Sequence, residues 1–173
     1  MKSALRIFVY GTLKKSFSNH AQYCTGVLRL EQALLRGTLF KLNPRAPIMT
    51  IPDADILAYG TMNVAEDLEV QEKFESILTP RLKAGEETPA EKSGDRSIVR
   101  GEILFFGDAE TRLPMIDSLE DFLPGEPSTY LRVLVNATLL DGHQTSAWTY
   151  IAGFDTGKLE KYAGETWFPD SEP

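Results

Sequence analysis

Leu5-Arg6-Ile7-Phe8-Val9-Tyr10-Gly11-Thr12-Leu13 opens the chain with a short apolar run that empties into a glycine-containing turn. Bounded in this way, the run reads as a buried first strand over Leu5 to Tyr10. Gly11 has no Cβ, so it can take φ > 0 and let a ligand approach the neighbouring N–H groups closely. The segment lacks the lysine and the glycine spacing of a phosphate loop, and it is not a dinucleotide fingerprint. N–H groups exposed along Tyr10, Gly11, Thr12 and Leu13 suit a carboxylate or a polarised amide carbonyl instead. On these residues alone, a plain strand-ending turn fits equally well.

Working outward, Lys14 to Asn19 reads as a polar loop and His20 to Leu28 as a short helix. Ala33 to Leu42 predicts one strand with a bulge or close backbone approach at Gly37, ending at the turn signal Asn43-Pro44. Ile48 to Ile51 and Ile56 to Val64 are weaker strand candidates. From 66 to 83, Leu68, Gln71, Phe74, Ile77, Leu78 and Leu82 recur at three-to-four spacing between acidic residues, which predicts an amphipathic helix with a solvated acidic face. Lys83 to Asp95 is polar and reads as a surface loop.

Ile98 to Phe106 resumes a strand, and Asp108 is placed to cap a helix from about Ala109 to Phe122. Pro114 removes a helical hydrogen bond, so the regular part is expected to begin near Leu113. Thr129 to Leu140 and Thr145 to Ala152 form a hairpin across Asp141-Gly142, and Trp167-Phe168-Pro169 packs the tail on the body. Strands and helices do not alternate regularly, so the order predicts an α+β fold with a curved, mostly antiparallel or mixed sheet. A doubly wound nucleotide fold is disfavoured.

With 173 residues and 42% hydrophobic content, the chain has enough material for one core, and a single domain over 1–173 is expected. A net charge of −7 provides no electrostatic footprint for nucleic acid or an anionic membrane. Cys24 is the single cysteine, which excludes an intrachain disulfide and fits a reducing, cytoplasmic setting. The N-terminal apolar run, broken at Arg6 and ended at Gly11, is too short for a signal peptide, and no run approaches the roughly 18 apolar residues of a membrane span.

Ile116, Leu119 and Leu123 place an apolar stripe on the last helix, with Glu120 at its edge. A semi-buried carboxylate has a raised pKa and suits acid/base work near neutrality, although most single glutamates are simply solvated. Tyr130 and Arg132 lie two apart on one strand and share a face, where they can bind a polar substrate, orient Glu120, or merely cover a strand edge. His20 and His143 are too few for a zinc site or a Ser-His-Asp triad and read as a helix-start and a turn residue. Cys24 reads as a buried structural thiol rather than a nucleophile.

Taken in order, Phe8 to Lys15 with Asn19-His20, Gly37-Thr38-Leu39-Phe40, Val99 to Leu104, Ile116-Asp117-Ser118-Leu119-Glu120 and Tyr130-Leu131-Arg132 resemble the gamma-glutamylcyclotransferase-like superfamily, most of all its gamma-glutamylamine cyclotransferase branch. The resemblance implies a small mixed β-barrel flanked by helices, with an inserted helix and loop at about 66–97. It implies that Tyr10, Gly11, Thr12 and Leu13 hold a gamma-glutamyl small-molecule substrate, helped by Tyr130 and Arg132, that Glu120 is the acid/base, and that no metal or cofactor is needed. The implied products are 5-oxoproline and a free amine. A catalytically silent binding module on the same fold is the alternative, because fold does not dictate function. The inserted segment is a candidate lid or protein-contact surface, or a helix covering a sheet edge. Asp121 stands where the family often has glycine, adding a negative charge beside the implied base.

Overall fold

Both faces of β1 (Leu5–Val9) are buried, which explains why its sequence lacks the polar alternation of a half-exposed strand. It runs antiparallel to β6 (Ile98–Phe106), from Leu5 opposite Phe106 to Val9 opposite Glu102. On its other side it runs parallel to β8 (Gln144–Ala152), with Ile7 opposite Trp148. The computed structural model describes residues 3–78 and 97–170. β2 (Arg29–Arg36) lies beyond β6, and β7 (Tyr130–Leu139) lies beyond β8. β2 and β7 then meet at Ala33–Leu139 and Leu34–Thr138, closing five strands into a mixed barrel. The fold is α+β, a small mixed β-barrel flanked by helices.

The period of two along each strand divides the core. Phe8 and Tyr10 face the barrel interior with Ala33, Leu35, Ile103, Val133 and Val135. Leu5, Ile7 and Val9 face outward, where they pack with Leu113 and Ile116 of α3 (Ala109–Leu119). Full burial of each such side chain is worth about 1.5–3 kcal/mol. This packing holds α3 along β1, so its C-terminal end arrives beside the turn that follows the strand.

Several local expectations are corrected. The first helix, α1, spans Ser18–Tyr23 rather than His20 to Leu28. Ala33 to Leu42 is not one bulged strand: Gly37 divides β2 from β3 (Thr38–Asn43), which belongs to a separate sheet with β4 (Ala46–Thr50) and β9 (Glu160–Lys161). A Cβ on Gly37 would sit 2.9 Å from the Thr50 carbonyl oxygen, so the crossing point needs glycine for the close approach. Between Ile56 and Val64 only β5 (Ala58–Tyr59) is strand, added to β7 at Leu134 and Val133. α3 is helical from Ala109 onward despite Pro114, which lies on its exposed side. Asp108 precedes it without a capping hydrogen bond, its carboxylate being paired with Arg112 at 2.9 Å.

The helix expected from 66 onward, α2, spans Val64–Glu75, with the Asn63 side chain accepting from the Glu66 N–H as its cap. Its acidic face is less solvated than expected. Glu72 pairs with Arg6 at 2.9 Å, Glu75 accepts from the Ser146 N–H at 2.6 Å, and the buried Gln71 accepts from the Arg6 N–H at 2.9 Å. Arg6, the residue that interrupts the apolar run of β1, therefore docks α2 across the end of β8. The expected continuation of this helix past 78 and the loop over Lys83 to Asp95 lie outside the described residues. Among the described residues, no helix is long and apolar enough to cross a membrane.

Candidate active site

The end of β1 and the end of α3 meet at a cavity of about 190 Å³, lined by Tyr10, Gly11, Thr12, Leu13, Glu120 and Tyr130 together with Asn19, Pro47, Leu119 and Tyr150. This is small against the roughly 300–1,000 Å³ of sites for drug-sized ligands and suits one end of a small metabolite. Among the described residues, the N–H groups of Gly11, Thr12 and Leu13 donate to no acceptor. Three amide donors are therefore available on one wall.

α1 braces that wall from behind. Asn19 Nδ2 donates to Thr12 Oγ1 at 2.8 Å, and His20 Nδ1 donates to the Leu13 carbonyl at 2.8 Å. Lys14 N closes the turn onto the Gly11 carbonyl at 3.1 Å, and the Lys15 N–H donates to Glu102 at 2.9 Å. The buried Lys14 ammonium donates to the Trp167 carbonyl at 3.0 Å, which ties the tail to the turn.

Gly11 does not take a positive φ, correcting the expected reason for a glycine here. A Cβ at this position would lie 2.8 Å from Pro47 Cγ, so glycine is needed for the close approach of the β3–β4 hairpin. Gly11→Ala is accordingly expected to cost about 1–3 kcal/mol of stability, read by urea denaturation. A change below about 0.5 kcal/mol would mean that the hairpin simply yields.

Glu120 is the residue that ends α3, with φ −85° and ψ 7°. Its side chain is partly buried, and among the described residues no hydrogen-bond donor reaches its carboxylate. Burial first, and then the negative charge of Asp117, pushes its pKa up to about 7. Tyr130 lines the same cavity, and its hydroxyl donates to the Pro47 carbonyl at 2.7 Å. Burial and then the Glu120 charge hold its phenol above the usual range.

Arg132 is not brought to the cavity. It is fully buried, with Nη1 on Asp67 at 2.8 Å, Nε on Asp117 at 2.8 Å and Nη2 on the Thr61 carbonyl at 2.9 Å. Sharing a face with Tyr130 did not imply sharing a pocket, because Asp67 and Asp117 hold the guanidinium at α2 and α3 while the Tyr130 hydroxyl reaches the Pro47 carbonyl.

Asp121 is the one described non-glycine residue with a positive φ, at 50°. This is the left-handed position that commonly follows a helix, where glycine is the least strained choice and aspartate one of the better-tolerated alternatives. Its carboxylate accepts from Thr129 Oγ1 at 3.3 Å. Tyr150 and Asp117 were given no role of their own from sequence, although Asp117 lies in the motif that ends at Glu120. The signals available were the Asp-x-x-Glu spacing on one helix and the register that sets Tyr150 opposite Arg132. Cys24 is buried and its thiol is pushed up to about 11 by burial, only partly offset by Arg112, so it is no nucleophile at neutral pH. His143 pairs with Asp141 in the β7–β8 turn, away from the cavity.

The fold has solved counterparts. An AIG2-like protein of Mus musculus superposes with a TM-score of 0.56 at 17% identity, covering 96% of this chain and 89% of that one. YkqA of Bacillus subtilis superposes with a TM-score of 0.51 at 19% identity, covering 95% of this chain but only 39% of that one. The chain thus spans about two fifths of YkqA's length. Among curated protein sequences none matches it. The family model described as gamma-glutamyl cyclotransferase, AIG2-like, matches residues 7–76 and 56–169, and the chain belongs to that family.

Proposed function

We propose that the protein is a gamma-glutamyl cyclotransferase that releases 5-oxoproline and a free amine from a gamma-glutamyl amine or peptide. One observation carries this reading: a carboxylate with its pKa pushed up to about 7, reached by no donor among the described residues, shares a small cavity with three backbone N–H groups that donate to no acceptor among them. General acid/base catalysis is most effective when the group titrates near working pH, and amide donors on the same wall suit an oxygen on which charge develops.

In this mechanism Glu120 takes a proton from the substrate α-ammonium, and the freed amine attacks the γ-carbonyl carbon of the same molecule. A C–N bond forms to close the five-membered ring, while the N–H groups of Gly11 to Leu13 donate to the substrate oxygens. The bond from the γ-carbon to the departing nitrogen then breaks as Glu120 returns the first proton to that nitrogen; the second proton, shed by the ring nitrogen as it becomes a lactam N–H, leaves on the departing amine, which goes as an ammonium, so no net proton is consumed. Holding the chain bent converts the attack into a well-oriented intramolecular step. A gamma-glutamylamine is the favoured substrate on the resemblance of Phe8 to Lys15 to that branch.

The test is to incubate the purified protein with gamma-glutamyl-lysine, gamma-glutamyl polyamines and gamma-glutamyl dipeptides and to measure 5-oxoproline. Release from at least one is expected. Saturable binding with no product across the panel would instead identify a silent binding module.

A further inference from the structure

Three phenols surround Glu120: Tyr10 from the turn, Tyr130 from β7 and Tyr150 from β8. Each hydroxyl has one proton to donate, and each donates it elsewhere. Tyr10 donates to the Tyr150 carbonyl at 2.7 Å, Tyr130 to the Pro47 carbonyl at 2.7 Å, and Tyr150 to Asp117 Oδ1 at 2.6 Å. Two of these acceptors are backbone carbonyls. The third is a side chain and must itself be held.

Arg132 holds it. The guanidinium grips both Asp117 oxygens, Nε to Oδ1 at 2.8 Å and Nη2 to Oδ2 at 3.2 Å. Its remaining donors reach Asp67 of α2 and the Thr61 carbonyl, and its face lies over the rings of Phe122 and Trp148. A Cβ on Gly60 would sit 2.6 Å from Arg132 Cζ, so Gly60 makes room for the group. Arg132 and Tyr150 are register partners, which sets their side chains on the same face of the β7–β8 ladder.

Resting on the cyclotransferase reading of the site, we propose that Asp117, clamped by Arg132, which Asp67 holds in turn, is a positioning residue that diverts the Tyr150 hydroxyl from Glu120 and so leaves the base without a donor among the described residues. A carboxylate that accepts no hydrogen bond gains nothing in its charged form, so it stays ready to hold a proton. The charged and titratable groups facing Glu120 are then Asp117 from its own helix, Tyr10 from the turn, Tyr130 from β7 and Tyr150 from β8, while the adjoining Asp121 turns its carboxylate to Thr129. Arg132 and Asp67 act through Asp117. On the remaining walls, Asn19 of α1 and Pro47 of β4 carry no charge.

The test follows the Glu120 carboxyl directly, by ¹³C NMR titration of the wild type, Asp117→Asn and the double variant Asp117→Leu/Arg132→Met. Asp117→Asn removes the charge but keeps an acceptor for Tyr150. The double variant releases the Tyr150 hydroxyl altogether; it is made in an Asp67→Asn background, so that the buried Asp67 carboxylate is not left without its counter-charge while the side chain at 67 still accepts from the Thr61 amide and hydroxyl. From a wild-type midpoint of about 7, the double variant is expected to fall by at least about one unit and Asp117→Asn by less. The acid limb of kcat/KM should move to lower pH with it, a movement that a purely structural role would not produce. A Glu120 midpoint in the folded double variant that is unchanged or raised overturns the proposal. Absence of 5-oxoproline from the wild type would refute the functional reading, and the titration would still decide the role of Asp117.

Discussion

Glu120→Gln is expected to leave the protein folded and to lower kcat/KM for 5-oxoproline release by about 10²–10⁴-fold, the usual contribution of a positioned acid/base group. Glutamine preserves the shape of the cavity wall and removes only the proton transfer. In the wild type, kcat/KM should rise with pH through about 7 as the base loses its proton. The variant should lose that limb together with its activity.

A second consequence has the opposite sign for stability. A carboxyl whose folded pKa lies above its unfolded value binds more protons in the folded state, so stability falls as pH rises from the unfolded pKa through the folded one. Below about pH 4 both states are protonated, and no penalty exists. By pH 8 the full penalty is present, on the order of 2 kcal/mol after discounting for partial exposure. Glu120→Gln should therefore be the more stable protein at pH 8 and equal to wild type near pH 4, checked by urea denaturation at both values. Wild-type turnover in the variant would end the acid/base assignment, and equal stability at both pH values would show that the carboxyl is not strained by burial.

Asp67→Ala is expected to destabilise the protein by about 3–5 kcal/mol. Asp67 is 1% exposed and accepts from Arg132 Nη1, from the Thr61 N–H and from Thr61 Oγ1. The intact pair has modest net worth, because bringing both charges out of water offsets much of their attraction. Removing one partner leaves a fully buried guanidinium short of a counter-charge, and that cost is not offset. Denaturant unfolding reads the effect directly. A loss below about 1 kcal/mol would mean that α2 is docked by the contacts of Gln71, Glu72 and Glu75 with β1 and β8 alone, and that Arg132 is satisfied by Asp117 and Thr61.

The same residues show which parts of the protein were legible in one dimension. Ile98 to Phe106 was readable as a strand to the residue, because its Ile103-Leu104-Phe105-Phe106 end is an apolar run buried on both faces. The Asp141-Gly142 turn was readable because few residues tolerate the backbone of a tight hairpin; Gly142 has φ 89°. Gly37 was recognised as a close approach but not as the boundary between two sheets, since a glycine reports local crowding and not which strand causes it. Gly11 was recognised as necessary for a conformational reason, whereas the requirement comes from Pro47, 36 positions away in the chain.

The candidate site divides in the same way. Tyr10 to Leu13, Glu120 and Tyr130 stood out as an exposed turn, a carboxylate at an apolar edge and a strand phenol, and the fold brings them onto one cavity. Arg132 stood beside Tyr130 with equal claim, and the fold sends it instead into a buried clamp between α2 and α3. The sequence by itself determined β1, β6 and the β7–β8 hairpin, the α+β class, the turn and the acid available to it, because periodicity and backbone tolerance act over a few neighbouring residues. Only the tertiary structure decided which N–H groups are left without acceptors, where each tyrosine sends its proton and which charges face Glu120. Those properties depend on distances between residues as much as 140 positions apart, such as Tyr10 and Tyr150, and hydrogen bonds and burial are satisfied only in three dimensions.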